Sequence, residues 1–187
     1  MDISGFERSS SRKQVKHQKM PDYFFDNLPD PEYLWSNADW VWCIRKSQIS
    51  FNGIQRSYKY HQNPTFPPIF ADMMDFLRCE DISMFIGHAP GANDSLKWHW
   101  DDYHVWAFNI EGVTEWQWFD LDTGQVEKQV LEPGYILTMP YGISHQVKMV
   151  SDTRTSVSMI TQYGGKYVEP PDEDYGKGWI PPSQAGK

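Results

Sequence analysis

The second half of the chain alternates apolar and polar residues in short runs, which predicts a series of antiparallel strands. The predicted strands are "DISMFIGHA", the long "KWHWDDYHVWAFNI", "TEWQWFDL", "QVEKQVLE", "YILTMP", "HQVKMV" and "RTSVSMITQY". The turns between them are "GAND", "EG", "DTG", "PG", "YGIS" and "SDT". Strands this short, at this spacing, are typical of an antiparallel sandwich or barrel.

One amphipathic helix precedes these strands. In "FPPIFADMMDFLRCE", two prolines stand at the start, and the apolar residues that follow recur at helical spacing. These residues give the predicted helix a mostly apolar face.

Composition favours one folded domain. The chain has 187 residues, of which 40% are hydrophobic, enough for a single core. Residues 1–20 are Ser-rich and hold five Lys/Arg against two Asp/Glu, which predicts a flexible basic lead-in. The domain is expected over 21–165, and 166–187 is a Gly/Pro-rich tail with little regular structure.

Charge and cysteine content narrow the function classes. The net charge of −8 argues against a nucleic-acid-binding surface. Cys43 and Cys79 have no metal-type spacing and are expected to be free thiols in a reducing compartment. Since neither a secretory signal nor an apolar run of membrane-spanning length is visible, we expect a soluble cytoplasmic protein without membrane contact.

The stretch "LKWHWDDYHVWAFNIEG" places polar residues where a core strand should be apolar. In a strand, residues i and i+2 face the same side, so His99 and Asp101 would project together. They supply two of the three side chains of a 2-His-1-carboxylate triad, which holds Fe(II) on one face. His145, downstream on another predicted strand, is the candidate third ligand. A buried polar network without metal is the alternative.

Two motifs resemble known families. "GYILTMPYGISH" resembles the second cupin motif, with Met149 in place of the usual final Asn. "HWDDYHVWAFNIEGVTEW" resembles the JmjC-type hydroxylases among the Fe(II)/2-oxoglutarate-dependent oxygenases, including the ribosomal-protein oxygenases. The resemblance covers roughly residues 80–162. It implies a mainly β double-stranded β-helix, the cupin or jelly-roll barrel, with one or two flanking N-terminal helices.

The resemblance also implies the cofactors: Fe(II) on His99, Asp101 and His145, with 2-oxoglutarate and O2 as cosubstrates. The JmjC relatives hold the far carboxylate of 2-oxoglutarate with a Lys or Arg where this chain has Thr114. Arg154, nine residues after His145, matches the carboxylate clamp of other members such as prolyl hydroxylases, and a surface arginine is its alternative.

Further side chains are candidates for binding 2-oxoglutarate. Ser156 lies on the strand face of Arg154, and Thr114 can add a hydroxyl bond. Tyr103 and Asn109 share the predicted face of His99. By the same parity His104 points away, and the tryptophans are expected to pack the sheet.

The predicted activity is therefore hydroxylation or demethylation of a protein side chain or small molecule by an Fe(II)/2-oxoglutarate-dependent dioxygenase. Two alternatives stay open. One is a metal-binding cupin of another class, such as an isomerase, an epimerase or a dioxygenase that does not use 2-oxoglutarate. The other is a cupin binding module without enzymatic activity. The sequence leaves monomer and dimer open.

Overall fold

The fold was analysed in a computed structural model. It describes residues 6, 14–36, 43–45, 48–52, 67–79, 81–87, 98–101 and 103–161. The predicted turn "GAND" and the predicted C-terminal tail lie outside these residues.

Eight strands and three helices make up the described part of the chain. The strands are β1 (Lys16–Lys19), β2 (Cys43–Arg45), β3 (Gln48–Asn52), β4 (Asp81–Gly87), β5 (His104–Asp120), β6 (Gln125–Leu131), β7 (Tyr135–Met139) and β8 (His145–Thr161). The helices are α1 (Asp22–Phe25), α2 (Pro31–Ser36) and α3 (Pro68–Leu77). Helix α3 confirms the helix predicted from its proline start and apolar spacing.

Two long antiparallel strands, β5 and β8, organise the sheet. The strand order is β1-β7-β5-β8-β4-β3-β2, and β6 also pairs with β5. The first half of β5 pairs with β7 and its second half with β6, while β8 follows β5 on the other side along nearly its whole length. Every pairing is antiparallel.

Two predicted turns, "EG" and "SDT", are wrong, because the chain continues through both as strand. Register shifts in the β5–β8 pairing fall between Asn109 and Glu111 and between Gly112 and Thr114, so the ribbon bends without ending. Gly112 has φ 75° at this bend. Turn-forming residues in the sequence therefore mark bulges here.

The bend folds the sheet over two separate cores. One core packs α3 against the outer face of the sheet, where Phe70 and Met74 share a cluster with Trp106. The other lies within the fold and joins the two halves of β5, since Val105 and Trp116 belong to one cluster. Trp106 and Val105 thus show the expected strand alternation, one facing each core.

The first described strand, β1, lies before the domain boundary predicted at residue 20. Residues 16–19 form β1, which pairs with β7 in the register Lys16↔Thr138 to Lys19↔Tyr135. Met20 is buried, and the ring of Phe6 lies 6.1 Å from that of Trp106. The prediction of a flexible segment is wrong for 16–20, because an edge strand can recruit a polar segment through backbone hydrogen bonds alone. Among the described helices, none has the length and apolarity needed to cross a membrane.

Candidate metal centre

His99 and Asp101 come from an irregular segment ahead of β5, so the prediction of one long strand through both is wrong. His99 instead forms an isolated antiparallel bridge with His145 at the start of β8. The His99 N–H donates to the His145 carbonyl at 2.9 Å, and the His145 N–H donates to the His99 carbonyl at 2.7 Å. Backbone pairing, rather than strand parity, brings two candidate ligands together.

The three predicted ligand side chains converge. One ligand atom from each of His99, Asp101 and His145 lies within 4.8 Å of the others. His145 Nε2 is 3.6 Å from Asp101 Oδ2, and the two imidazole centroids are 4.3 Å apart. Two imidazoles and one carboxylate on a common centre are the donor set of a 2-His-1-carboxylate site. These residues therefore fit a divalent transition metal.

His145 is held in the form that binds metal. Its Nδ1–H donates to the Ile143 carbonyl at 2.8 Å, which leaves the Nε2 lone pair free to face Asp101. Burial is the largest cause that lowers the pKa of His145 to about 3; the neighbouring His99 acts in the same direction, and the Ile143 bond opposes both. The imidazole is therefore neutral near physiological pH, as a metal ligand must be.

A cleft with an empty volume of about 610 Å³, which includes open solvent, adjoins these side chains. It is lined by Ser83, Phe85, His99, Asp101, Tyr103, Val105, Trp116, His145, Val147, Arg154, Ser156, Ser158 and Ile160. Of the side chains predicted to bind 2-oxoglutarate, Tyr103, Arg154 and Ser156 line this cleft. Asn109 and Thr114 are buried and are not among the lining residues.

Arg154 is a buried cation on the cleft wall. Its side chain is 3% exposed, and its Nε has no hydrogen-bond partner within the described residues. The guanidinium carbon lies 5.6 Å from the ring centroid of Phe85. Burial lowers the pKa of Arg154 to about 10, so the group stays charged at neutral pH. A buried charge is costly without a counter-ion, so this wall favours an anionic ligand.

Asn109 orients Ser156 from behind the cleft. Its Nδ2 donates to the Leu131 carbonyl at 2.7 Å and to Thr114 Oγ1 at 3.1 Å. Its Oδ1 accepts the Ser156 hydroxyl at 2.7 Å. Because the Ser156 proton is used in this bond, Ser156 has only lone pairs to offer the cleft. Thr114 contacts Asn109 rather than the cleft.

Sequence reasoning missed several lining residues, among them Trp116 and Phe85. Trp116, treated as sheet packing, stacks on the His145 ring with centroids 5.6 Å apart and planes 19° apart. Trp116 lies two residues after Thr114, and residues i and i+2 of a strand share a face, so the sequence could have indicated that Trp116 points inward. Phe85, which lies beside Arg154, carried no recognisable motif in the predicted strand "DISMFIGHA".

The other histidines and the cysteine whose side chains the structure describes do not line the cleft. His17 stacks on Tyr135 at 4.8 Å between ring centroids, and His104 is buried away from the lining residues. Cys79 is buried and free. His61, His88 and the side chain of Cys43 lie outside what the structure describes.

No protein-family model and no curated protein matches this sequence. Among solved structures, a dioxygenase for auxin oxidation from rice is similar at 13% identity with a TM-score of 0.58, covering 80% of this chain and 73% of that one. An oxalate decarboxylase from Lactobacillus farciminis (11% identity, 64% of this chain, TM-score 0.46) and the coconut allergen cocosin (15%, 67%, 0.47) are more distant. This chain spans 30% of each of those two. The mainly β prediction is confirmed: the chain has a double-stranded β-helix fold of the cupin type, with a candidate metal site.

Proposed function

We propose that this protein is an Fe(II)- and 2-oxoglutarate-dependent oxygenase, related in its site to the JmjC-type hydroxylases. One observation carries the proposal: a 2-His-1-carboxylate cluster and a buried arginine, unpaired within the described residues, line the same cleft. The cluster fits Fe(II), and the arginine fits the far carboxylate of a dicarboxylate cosubstrate.

Each side chain has a defined task in this proposal. His99, Asp101 and His145 would bind the metal from one side and leave its opposite positions open. Fe(II), when bound with 2-oxoglutarate and O2, supplies the oxidising chemistry. Arg154 neutralises the carboxylate that lies away from the metal, and its planar fork fixes that carboxylate's orientation.

The rest of the cleft controls solvent and orientation. Val105, Val147 and Ile160 give the wall an apolar surface that keeps water from the reacting centre. Trp116 covers one face of the His145 ring and limits its rotation. The substrate would be a small molecule or a protein side chain that reaches the cleft from its open mouth.

Anaerobic titration tests the proposal directly. Adding Fe(II) and then 2-oxoglutarate to the protein should produce the weak visible absorption of the metal–keto-acid chelate. Asp101→Ala should abolish metal binding and the band, whereas Asp122→Ala, on the exposed β5–β6 turn, should change neither. Stoichiometric metal binding without a band would favour a cupin of another class, and no metal binding would favour a binding module.

A further inference from the structure

The loop 140–144, between β7 and β8, contacts two of the candidate ligands through its backbone. The Gly142 N–H donates to the Asp101 carbonyl at 2.9 Å. The Ile143 carbonyl accepts the Nδ1–H of His145 at 2.8 Å. The loop therefore sets where the carboxylate-bearing segment lies and which nitrogen of His145 faces the metal position.

The same loop is hydrogen-bonded to the second half of β5 and bends sharply. The Ser144 carbonyl accepts the Phe119 N–H at 3.0 Å. Gly142 has φ 73°, a conformation that favours glycine, and its N–H points to Asp101 in that conformation. A small displacement of this loop would therefore move both ligands relative to each other.

His104 joins the loop to β5 from the side away from the cleft. It is the first residue of β5, it is 6% exposed, and it does not line the cleft. Its Nδ1 accepts the Tyr141 N–H at 3.3 Å. This bond requires the neutral imidazole with its proton on Nε2. It ties the residue preceding Gly142 to a strand that starts three residues after Asp101.

We propose that His104 is a positioning residue of the metal centre: it anchors loop 140–144 and thereby holds Asp101 and His145 at ligand distance. The proposal rests on the metal site of the proposed function. His104 itself does not touch the metal position. Removing a side chain that hydrogen-bonds to a metal ligand typically weakens metal binding by ~10–100-fold. His104 acts through the backbone of the loop, so its removal should weaken binding by an amount near the lower end of this range.

Three substitutions at one position separate this role from general packing. His104→Leu keeps the volume approximately and removes the acceptor. His104→Asn places its side-chain oxygen near the position of Nδ1 and can still accept the Tyr141 N–H, whereas the longer His104→Gln places its oxygen near the position of Nε2. His17→Leu is the control, because His17 is a histidine of another strand, β1, where its ring stacks on Tyr135.

The probe is Co(II), followed by equilibrium titration and by its visible d–d spectrum, together with thermal unfolding of the metal-free protein. His104→Leu and His104→Gln should weaken Co(II) binding by ~10-fold or more and change the spectrum, while His104→Asn stays within about threefold of the wild type. His17→Leu should leave affinity and spectrum unchanged. If His104→Leu does not fold, the comparison of Asn with Gln decides alone.

Equal Co(II) affinity and spectrum in all three His104 variants would overturn the proposal, and so would a loss in His104→Asn as large as in His104→Gln. The outcome is separable from that of the oxygenase proposal. A wild-type protein that binds Co(II) but gives no Fe(II)–2-oxoglutarate band removes the oxygenase and leaves the role of His104 intact. A wild-type protein that does not bind Co(II) removes the metal site and this inference with it.

Discussion

Replacing Arg154 with Met should make the ligand-free protein more stable and, at the same time, unable to bind 2-oxoglutarate. Burial lowers the pKa of Arg154 from the ordinary value of arginine to about 10. Since one pKa unit corresponds to ~1.4 kcal/mol, holding this charge in the fold costs about 3 kcal/mol. The folded-state pKa is the lower one, so the cost applies at neutral pH and disappears only as pH rises from about 10 towards the ordinary pKa of arginine.

Urea denaturation near neutral pH measures both effects. The free energy of unfolding of ligand-free Arg154→Met should exceed the wild-type value by ~1–3 kcal/mol, since an apolar side chain replaces a buried cation that has no ion-pair partner among the described residues. With Mn(II) present and 2-oxoglutarate at 100 times its Kd, the wild type should gain about 2.7 kcal/mol and the variant nothing. Lys148→Met removes an exposed cation from the same strand and should show neither effect.

The opposite result would refute the reasoning. If Arg154→Met loses more than ~1 kcal/mol of stability and still binds 2-oxoglutarate, then Arg154 is a structural cation with a carboxylate partner. The anion that the cleft accepts would then have to be held by another group, and the 2-oxoglutarate clamp would be lost from the proposed function.

Three further predictions follow from the bend and the buried polar groups. Gly112→Ala should lower the free energy of unfolding in urea by ~3 kcal/mol or more, because a Cβ would lie 2.0 Å from a backbone oxygen; Gly124→Ala, also at positive φ but with nothing within 4 Å, should lose only ~1–2 kcal/mol. Burial lowers the pKa of His145 to about 3, so the unfolded chain binds the extra proton between pH 3 and 6.5; stability of the metal-free protein should fall as pH drops through that range, and His145→Gln should flatten the profile. Asn109→Ala should lower the thermal midpoint by leaving two buried groups (Thr114 Oγ1 and the Leu131 carbonyl) and the half-buried Ser156 hydroxyl without this partner, at a cost of ~3 kcal/mol, whereas the exposed Asn27→Ala should cost under ~1 kcal/mol.

The convergence of the three candidate ligands was predictable from the sequence, whereas its structural cause was not. Spacing and motif identified His99, Asp101 and His145, and the three side chains do meet. Strand parity does not bring His99 and Asp101 together, because both residues precede β5. A single sequence carries local periodicity, whereas the His99–His145 bridge joins residues 46 positions apart and leaves no periodic signal.

The sequence pattern also did not predict the lengths of β5 and β8. "EG" and "SDT" have the composition of turns, and turn residues and bulge residues are the same types. Which of the two forms depends on whether a partner strand continues alongside, and Gly112 pairs with Arg154 across the bend. The position of Thr114 follows from this bend, because the register shift between Gly112 and Thr114 places the Thr114 hydroxyl against Asn109.

β5 and β8 each run through both halves of the folded sheet. One half therefore cannot separate from the other without disrupting the pairing of strands that the two halves share. The protein should therefore unfold as one cooperative unit, with backbone amides of β5 exchanging hydrogen at similar rates on either side of Gly112. The cleft cannot widen by hinge motion between the halves. A ligand of the cleft must therefore enter and leave by its open mouth.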